Sequence, residues 1–110
     1  MYLLDTNICV ALLNENRKVM ARFNRVFSQC YISTIVLSEL YKGVYGSRQF
    51  EKNLQSLQQF TELIDIEPFD LNAAVEFGKI QSELKQIGRP TGELDALIAA
   101  VARSRDDLKG

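Results

Sequence analysis

The chain opens on an uncharged run, Tyr2-Leu3-Leu4, and turns polar at Asp5-Thr6-Asn7. A run this short without charge predicts a buried parallel strand. Asp5 then lies at its carboxyl end, where open α/β sheets place their ligands. Thr6 or Asn7 is expected to cap the helix begun by Ile8-Cys9-Val10-Ala11-Leu12-Leu13. Beyond the polar break Asn14-Glu15-Asn16, a second helix is expected from about Arg17 to Phe27, with Val19, Phe23, Val26 and Phe27 on one face. Arg17, Lys18, Arg22 and Arg25 take the other face, which is either solvated or tracks a phosphate backbone.

Gln29-Cys30-Tyr31-Ile32 reads as a second strand, and Ser33-Thr34 as the cap of a helix over Ile35–Gly43 that carries Glu39. Tyr45-Gly46-Ser47 breaks the pattern, and a long amphipathic helix follows to about Leu63, with Phe50, Leu54, Leu57, Phe60 and Ile64 in phase. The alternating segment Ile64–Glu67, stopped by Pro68, predicts a third strand with Asp65 and Glu67 facing solvent. Asp70 is expected to cap the next helix, with Phe69 and Ala74 as a hydrophobic staple and Ala73, Phe77, Ile80, Leu84 and Ile87 as its core stripe. Gly88-Arg89-Pro90 ends that helix. The last helix, Thr91–Ala102, is apolar all round from Leu94 onward except for Asp95, which predicts a buried helix with a lone acid in its first turn. The tail Arg103–Gly110 is polar and delivers no further strand.

Strands alternating with helices predict an α/β fold around a parallel sheet. At 110 residues the chain suits one domain, 1-110, with a real core. Apolar stretches are too short for a membrane span, and no basic region precedes an apolar leader, so the expected location is cytoplasmic. Cys9 and Cys30 lack metal-type spacing and read as buried small hydrophobes. The absence of histidine removes the usual general base and the usual zinc ligand, so any chemistry falls to carboxylates. A net charge of −1 does not by itself announce a nucleic-acid binder.

Three acids stand out: Asp5, Glu39 and Asp95 each follow a strand or open a helix, positions that converge on one edge of a parallel sheet. Each also has a plainer role, as turn residue, as partner of Lys42, or as complement to a helix dipole. Together they make an all-oxygen site suited to Mg²⁺ or Mn²⁺. The reaction such a site fits best is phosphodiester hydrolysis, through polarisation of a phosphoryl group and activation of water.

The segments Leu4-Asp5-Thr6-Asn7, Ser38-Glu39-Leu40-Tyr41-Lys42-Gly43 and Gly92-Glu93-Leu94-Asp95-Ala96-Leu97-Ile98-Ala99-Ala100 resemble, in order and spacing, the PIN-domain ribonuclease toxins of the VapC type. The resemblance implies a three-layer α/β/α fold with strand order 3-2-1-4-5 and Mg²⁺- or Mn²⁺-dependent cleavage of RNA. It implies a homodimer and a VapB-type antitoxin as partners. Carried over by position, Asp5, Glu39 and Asp95 are the catalytic metal ligands, Thr6 or Asn7 positions water or substrate, and Glu93 is the nearest competitor for a ligand role. Family members continue into a fourth strand, a fourth acid and a fifth strand. None of these is evident after Lys109-Gly110, and Asp106 and Asp107 do not match the fourth acid. On this reading strands 4 and 5 are missing and the first strand becomes an exposed edge. The alternative function is then a shortened, weakly active or inactive module that binds an antitoxin or self-associates. RNA recognition is expected to fall to the basic helix, without an aromatic stacking platform.

Overall fold

The computed structural model describes residues 1–89 and 92–106, and the backbone of 108–109. Four parallel strands, β1 (Tyr2–Leu3), β2 (Cys30–Ser33), β3 (Asp65–Glu67) and β4 (Leu108–Lys109), form one sheet in the order β3-β2-β1-β4. Between them run α1 (Thr6–Leu13), α2 (Arg17–Val26), α3 (Thr34–Tyr45), α4 (Phe50–Leu63), α5 (Leu71–Gln86) and α6 (Glu93–Ser104). The chain moves from β1 to β2 to β3 in one direction, then returns past β1 to β4. Right-handed crossovers therefore place α1 to α4 on one face and α5 and α6 on the other. The reversal of strand order falls between β1 and β4, at the end of β1 that carries Asp5.

The fourth strand corrects the sequence reading. Leu108–Lys109 pairs in parallel with Tyr2–Leu3, so β1 lies inside the sheet with β2 on its other side. A two-residue strand carries no alternation of its own, and its pairing is set by β1, more than 100 residues away along the chain.

Leu3, Tyr31, Ile32, Val36, Leu57 and Val101 are fully buried or within 1% of it. Each such side chain contributes about 1.5–3 kcal/mol relative to exposure. Three helices that follow strands are capped by the residue before them. Asp5 Oδ1 accepts from the Ile8 amide at 3.0 Å, Ser33 Oγ from Val36 at 3.1 Å, and Asp70 Oδ1 from Ala73 at 2.9 Å. Ser33 and Asp70 cap as expected. In α1, however, Asp5 takes the capping role expected of Thr6 or Asn7, because helical geometry already begins at Thr6.

Several apolar stripes are narrower than the sequence suggests. Phe27 falls in a 3₁₀ turn after α2 and is exposed, as is Phe50 at the start of α4. Ala74 is exposed, so Phe69 packs against the core without forming the expected staple. Ile87 is exposed past the end of α5, which Gly88 terminates in the left-handed region at φ +67°. Pro90 and Thr91, expected at the following boundary, lie outside the described residues. Glu67 does not simply face solvent: its carboxylate pairs with Arg105 at 3.4 Å. The Arg105 guanidinium also lies 4.7 Å from the centre of the buried Tyr31 ring, fastening the end of α6 to the sheet.

Candidate active site

Asp5 is half-buried at the junction of β1 and α1. One carboxylate oxygen is committed to the Ile8 amide, and the other makes no hydrogen bond among the described residues. Beside it, Thr6 Oγ1 is buried and has no hydrogen-bond partner among the described residues. An unpaired buried hydroxyl costs about 1–3 kcal/mol, and a bound water or ligand oxygen would relieve that cost. Asn7 is exposed at the same helix start.

Glu39 lies in the second turn of α3, half-buried. The Lys42 pairing that would give it a plain structural role does not form: among the described residues Glu39 has neither an ion pair nor a hydrogen bond. It lines a cavity of about 510 Å³ between the end of α1, the middle of α3 and the start of α4.

Asp95 departs from expectation. It is exposed in the first turn of α6, together with Glu93 and Leu94, and burial of that helix begins at Ala96. The buried face of α6 is the stripe Ala96, Ile98, Ala100, Val101 and Ala102, so the apolar run extends past the surface that is actually covered. Asp95 therefore carries no cost of lone-acid burial and stays available to solvent or an ion. Gly92 offers no side-chain cap, leaving Glu93 and Asp95 as the negative charges that complement the helix N-terminus.

Helix α3 packs against both α1 and α6, which brings the elements bearing the three acids together. The side chains themselves do not close into a cage. Among the described residues, no three from His, Cys, Asp and Glu stand close enough to hold a metal ion. Carboxylates without a counter-ion repel one another, which opposes a closer approach. By donor chemistry the three acids suit a hard divalent cation: oxygen ligands with no lysine or arginine partner among the described residues, and Asp5 next to the Thr6 hydroxyl.

Both thiols are unsuited to chemistry. Burial, then the nearby Asp5 charge and Cys30, push the Cys9 thiol up to about 12. Burial likewise raises Cys30, against the opposing pull of the amino terminus. Both remain neutral at physiological pH, as small hydrophobes should.

Residues 2–108 match the PIN domain family. The chain belongs to that family. This PIN domain is 40% identical over 105 residues to the tRNA(fMet)-specific endonuclease VapC of Shigella flexneri, an alignment covering 94% of this chain and 80% of the relative. In three dimensions it superposes on a chain of VapBC2 from Rickettsia felis, crystallised with a DNA fragment from its promoter. The TM-score there is 0.92 at 32% identity, over 98% of this chain and 84% of that one. A chain of the DNA-bound VapBC complex from Salmonella typhimurium gives 0.89 at 35% identity, over 94% and 80%. The VapC ribonuclease homologues and the PIN-like α/β fold are therefore as the sequence motifs implied.

Sequence reasoning missed two features of this region. The cavity beside Glu39 joins Gly43, the last residue of the same motif, to Glu15 and to Gln49, Lys52 and Asn53, which lie in other segments outside any motif. An aromatic row also exists where none was expected. The Tyr41 and Tyr45 rings stack at 6.2 Å, and Phe50 stands 5.3 Å from Tyr45. The i, i+4 spacing of the two tyrosines is the signal that could have revealed their pairing.

Proposed function

We propose that this PIN domain is an endoribonuclease of the VapC type, with Asp5, Glu39 and Asp95 as ligands of Mg²⁺ or Mn²⁺. The observation that carries this reading is the set of three acids without cationic partners among the described residues, borne on packed elements around the point where strand order reverses. Support comes from relatives named as endonucleases and ribonucleases. When bound, the ion supplies Lewis acidity at the phosphoryl group and lowers the pKa of water.

The chain's own residues hold that arrangement. The Ile8 amide anchors one oxygen of Asp5 and leaves the other for an ion. The Thr6 hydroxyl, buried and without a partner among the described residues, can hydrogen-bond a water or phosphate oxygen at the same junction. The Ser33 cap fixes the start of α3 and so the position of Glu39. Exposed Arg17, Lys18, Arg22 and Arg25 offer phosphate contacts along α2.

The same reading gives the domain a VapB-type antitoxin, consistent with neighbours crystallised as VapBC complexes. A homodimer completes the proposal and is checked by light scattering. No described helix is long and apolar enough to cross a membrane.

The test is Mn²⁺-dependent cleavage of a structured RNA by wild type and by Asp5→Asn purified in parallel. Cleavage that disappears in the variant and in chelator supports the proposal. Equal activity of the two proteins would assign the cleavage to a contaminant and remove Asp5 from the chemistry.

A further inference from the structure

We infer that the cavity beside Glu39 is a nucleotide subsite that takes one unpaired ribonucleotide of the RNA and favours bases bearing an exocyclic amino group. This inference rests on the nuclease reading above and adds to it a recognition pocket.

Its volume of about 510 Å³ lies within the range of small-molecule sites. Gly43 lines it from the last turn of α3, still inside the helix, where glycine is less favourable than alanine. Neither packing nor backbone conformation requires glycine there: a Cβ at this position would meet nothing within 4 Å, and its φ is not positive. What its missing side chain preserves is open space on the cavity wall.

Glu15 lies on the same cavity at φ +59°, as the residue that closes α1: its amide donates to the Leu12 carbonyl at 3.1 Å and the Asn16 amide to the Ala11 carbonyl at 2.9 Å. Glu15 is exposed and has no ion pair or hydrogen bond from its side chain among the described residues. That cap of α1 accounts for the conformation and fixes the Glu15 backbone beside the cavity.

The remaining lining suits a nucleotide. Lys52 is exposed and unpaired among the described residues, ready for a phosphate. The side-chain amides of Gln49 and Asn53 are likewise uncommitted and can read a base edge. A carboxylate accepts hydrogen bonds from the amino groups of cytosine, adenine or guanine, whereas uracil has none to offer. Glu39 lines the same cavity, which puts the bound nucleotide beside one of the proposed metal ligands.

The experiment is fluorescence anisotropy of the full chain with labelled oligo(A), oligo(C) and oligo(U), in chelator so that no cleavage occurs. We expect oligo(A) and oligo(C) to bind roughly tenfold more tightly than oligo(U), a gap of about 1.4 kcal/mol. Gly43→Leu, which puts a bulky side chain on the cavity wall and narrows it, should weaken binding of all three. Glu15→Gly removes the carboxylate while suiting the left-handed backbone, and should erase the preference without lowering the melting temperature. Gly43→Ala guards against misfolding of the larger variant: it should melt higher than wild type and bind more weakly.

The proposal is overturned if wild type binds no oligonucleotide, if folded Gly43→Leu binds as wild type does, or if Glu15→Gly keeps the preference. It is also overturned if Gly43→Leu impairs only capture of a VapB-type antitoxin. A parallel Mn²⁺ cleavage assay separates the two claims. Binding that depends on Gly43 without cleavage sinks the nuclease reading alone, and cleavage with binding indifferent to Gly43 sinks the subsite alone.

Discussion

Two groups of carboxylates in this fold have opposite surroundings. On the α5–α6 side, Arg103 contacts Glu76 at 2.8 Å and donates to both oxygens of Glu83 at 2.9 and 2.8 Å, while Arg105 pairs with Glu67. At the switch of strand order, Asp5, Glu39 and Asp95 have no arginine or lysine partner among the described residues. Evidently the fold can neutralise its acids with arginine. Glu15 and Glu93 also lack such a pair among the described residues; the observation behind the proposed ion is that these three follow strands or open helices on elements that pack together.

The sharpest way to break the comparison is to exchange one acid in each group. Asp5→Asn should reduce Mn²⁺-dependent RNA cleavage by roughly 10²- to 10³-fold, as expected when several kcal/mol of metal stabilisation are lost. Asparagine still caps a helix, so circular dichroism should show an intact fold. Glu83→Gln should leave cleavage unchanged in the same assay.

Metal addition should separate the groups next. Saturating Mn²⁺ at about 100 times its dissociation constant should stabilise wild type by about 2.7 kcal/mol in chemical unfolding, with no such gain for Asp5→Asn. A smaller effect is expected of Ser33→Ala, which removes the buried cap of the helix carrying Glu39. Its cost should be about 1–2 kcal/mol in the same measurement.

Titration gives the finest distinction. The Cys9 thiol is raised in the folded state, so its contribution to stability is complete below the ordinary thiol range, about 8.5, and is lost as pH climbs toward about 12. Cys9→Ala should flatten that alkaline limb of a stability-versus-pH curve. Glu83 moves the other way. The Arg103 hydrogen bonds hold its carboxyl below the usual range, so its contribution is present above that range and fades as pH falls through the lowered value. Arg103→Met should remove this acid limb, with only a small effect because the pair is exposed.

Much of this organisation was legible in the sequence because it is local. Ser33 and Asp70 announce their helices through capping chemistry that spans three residues, and the order of strands and helices follows from periodicity. Where several local solutions compete, the reading failed: Asp5, Thr6 and Asn7 are all good caps, and only the backbone of Asp5 is extended enough to serve. Non-local features were the hardest. The burial of α6 depends on which stripe meets α5 and the sheet, so the exposure of Asp95 could not be read from an all-apolar run. Strand β4 exists through its register with β1, and the Glu39 cavity through the meeting of three helices.

Calorimetric titration with Mn²⁺ tests the central claim most directly, because it reads the carboxylates without requiring a substrate. The account predicts binding to wild type and to Glu83→Gln, and strong loss of affinity in Asp5→Asn, Glu39→Gln and Asp95→Asn. Unchanged affinity in those three variants would contradict it, and would return the acids to capping and surface charge.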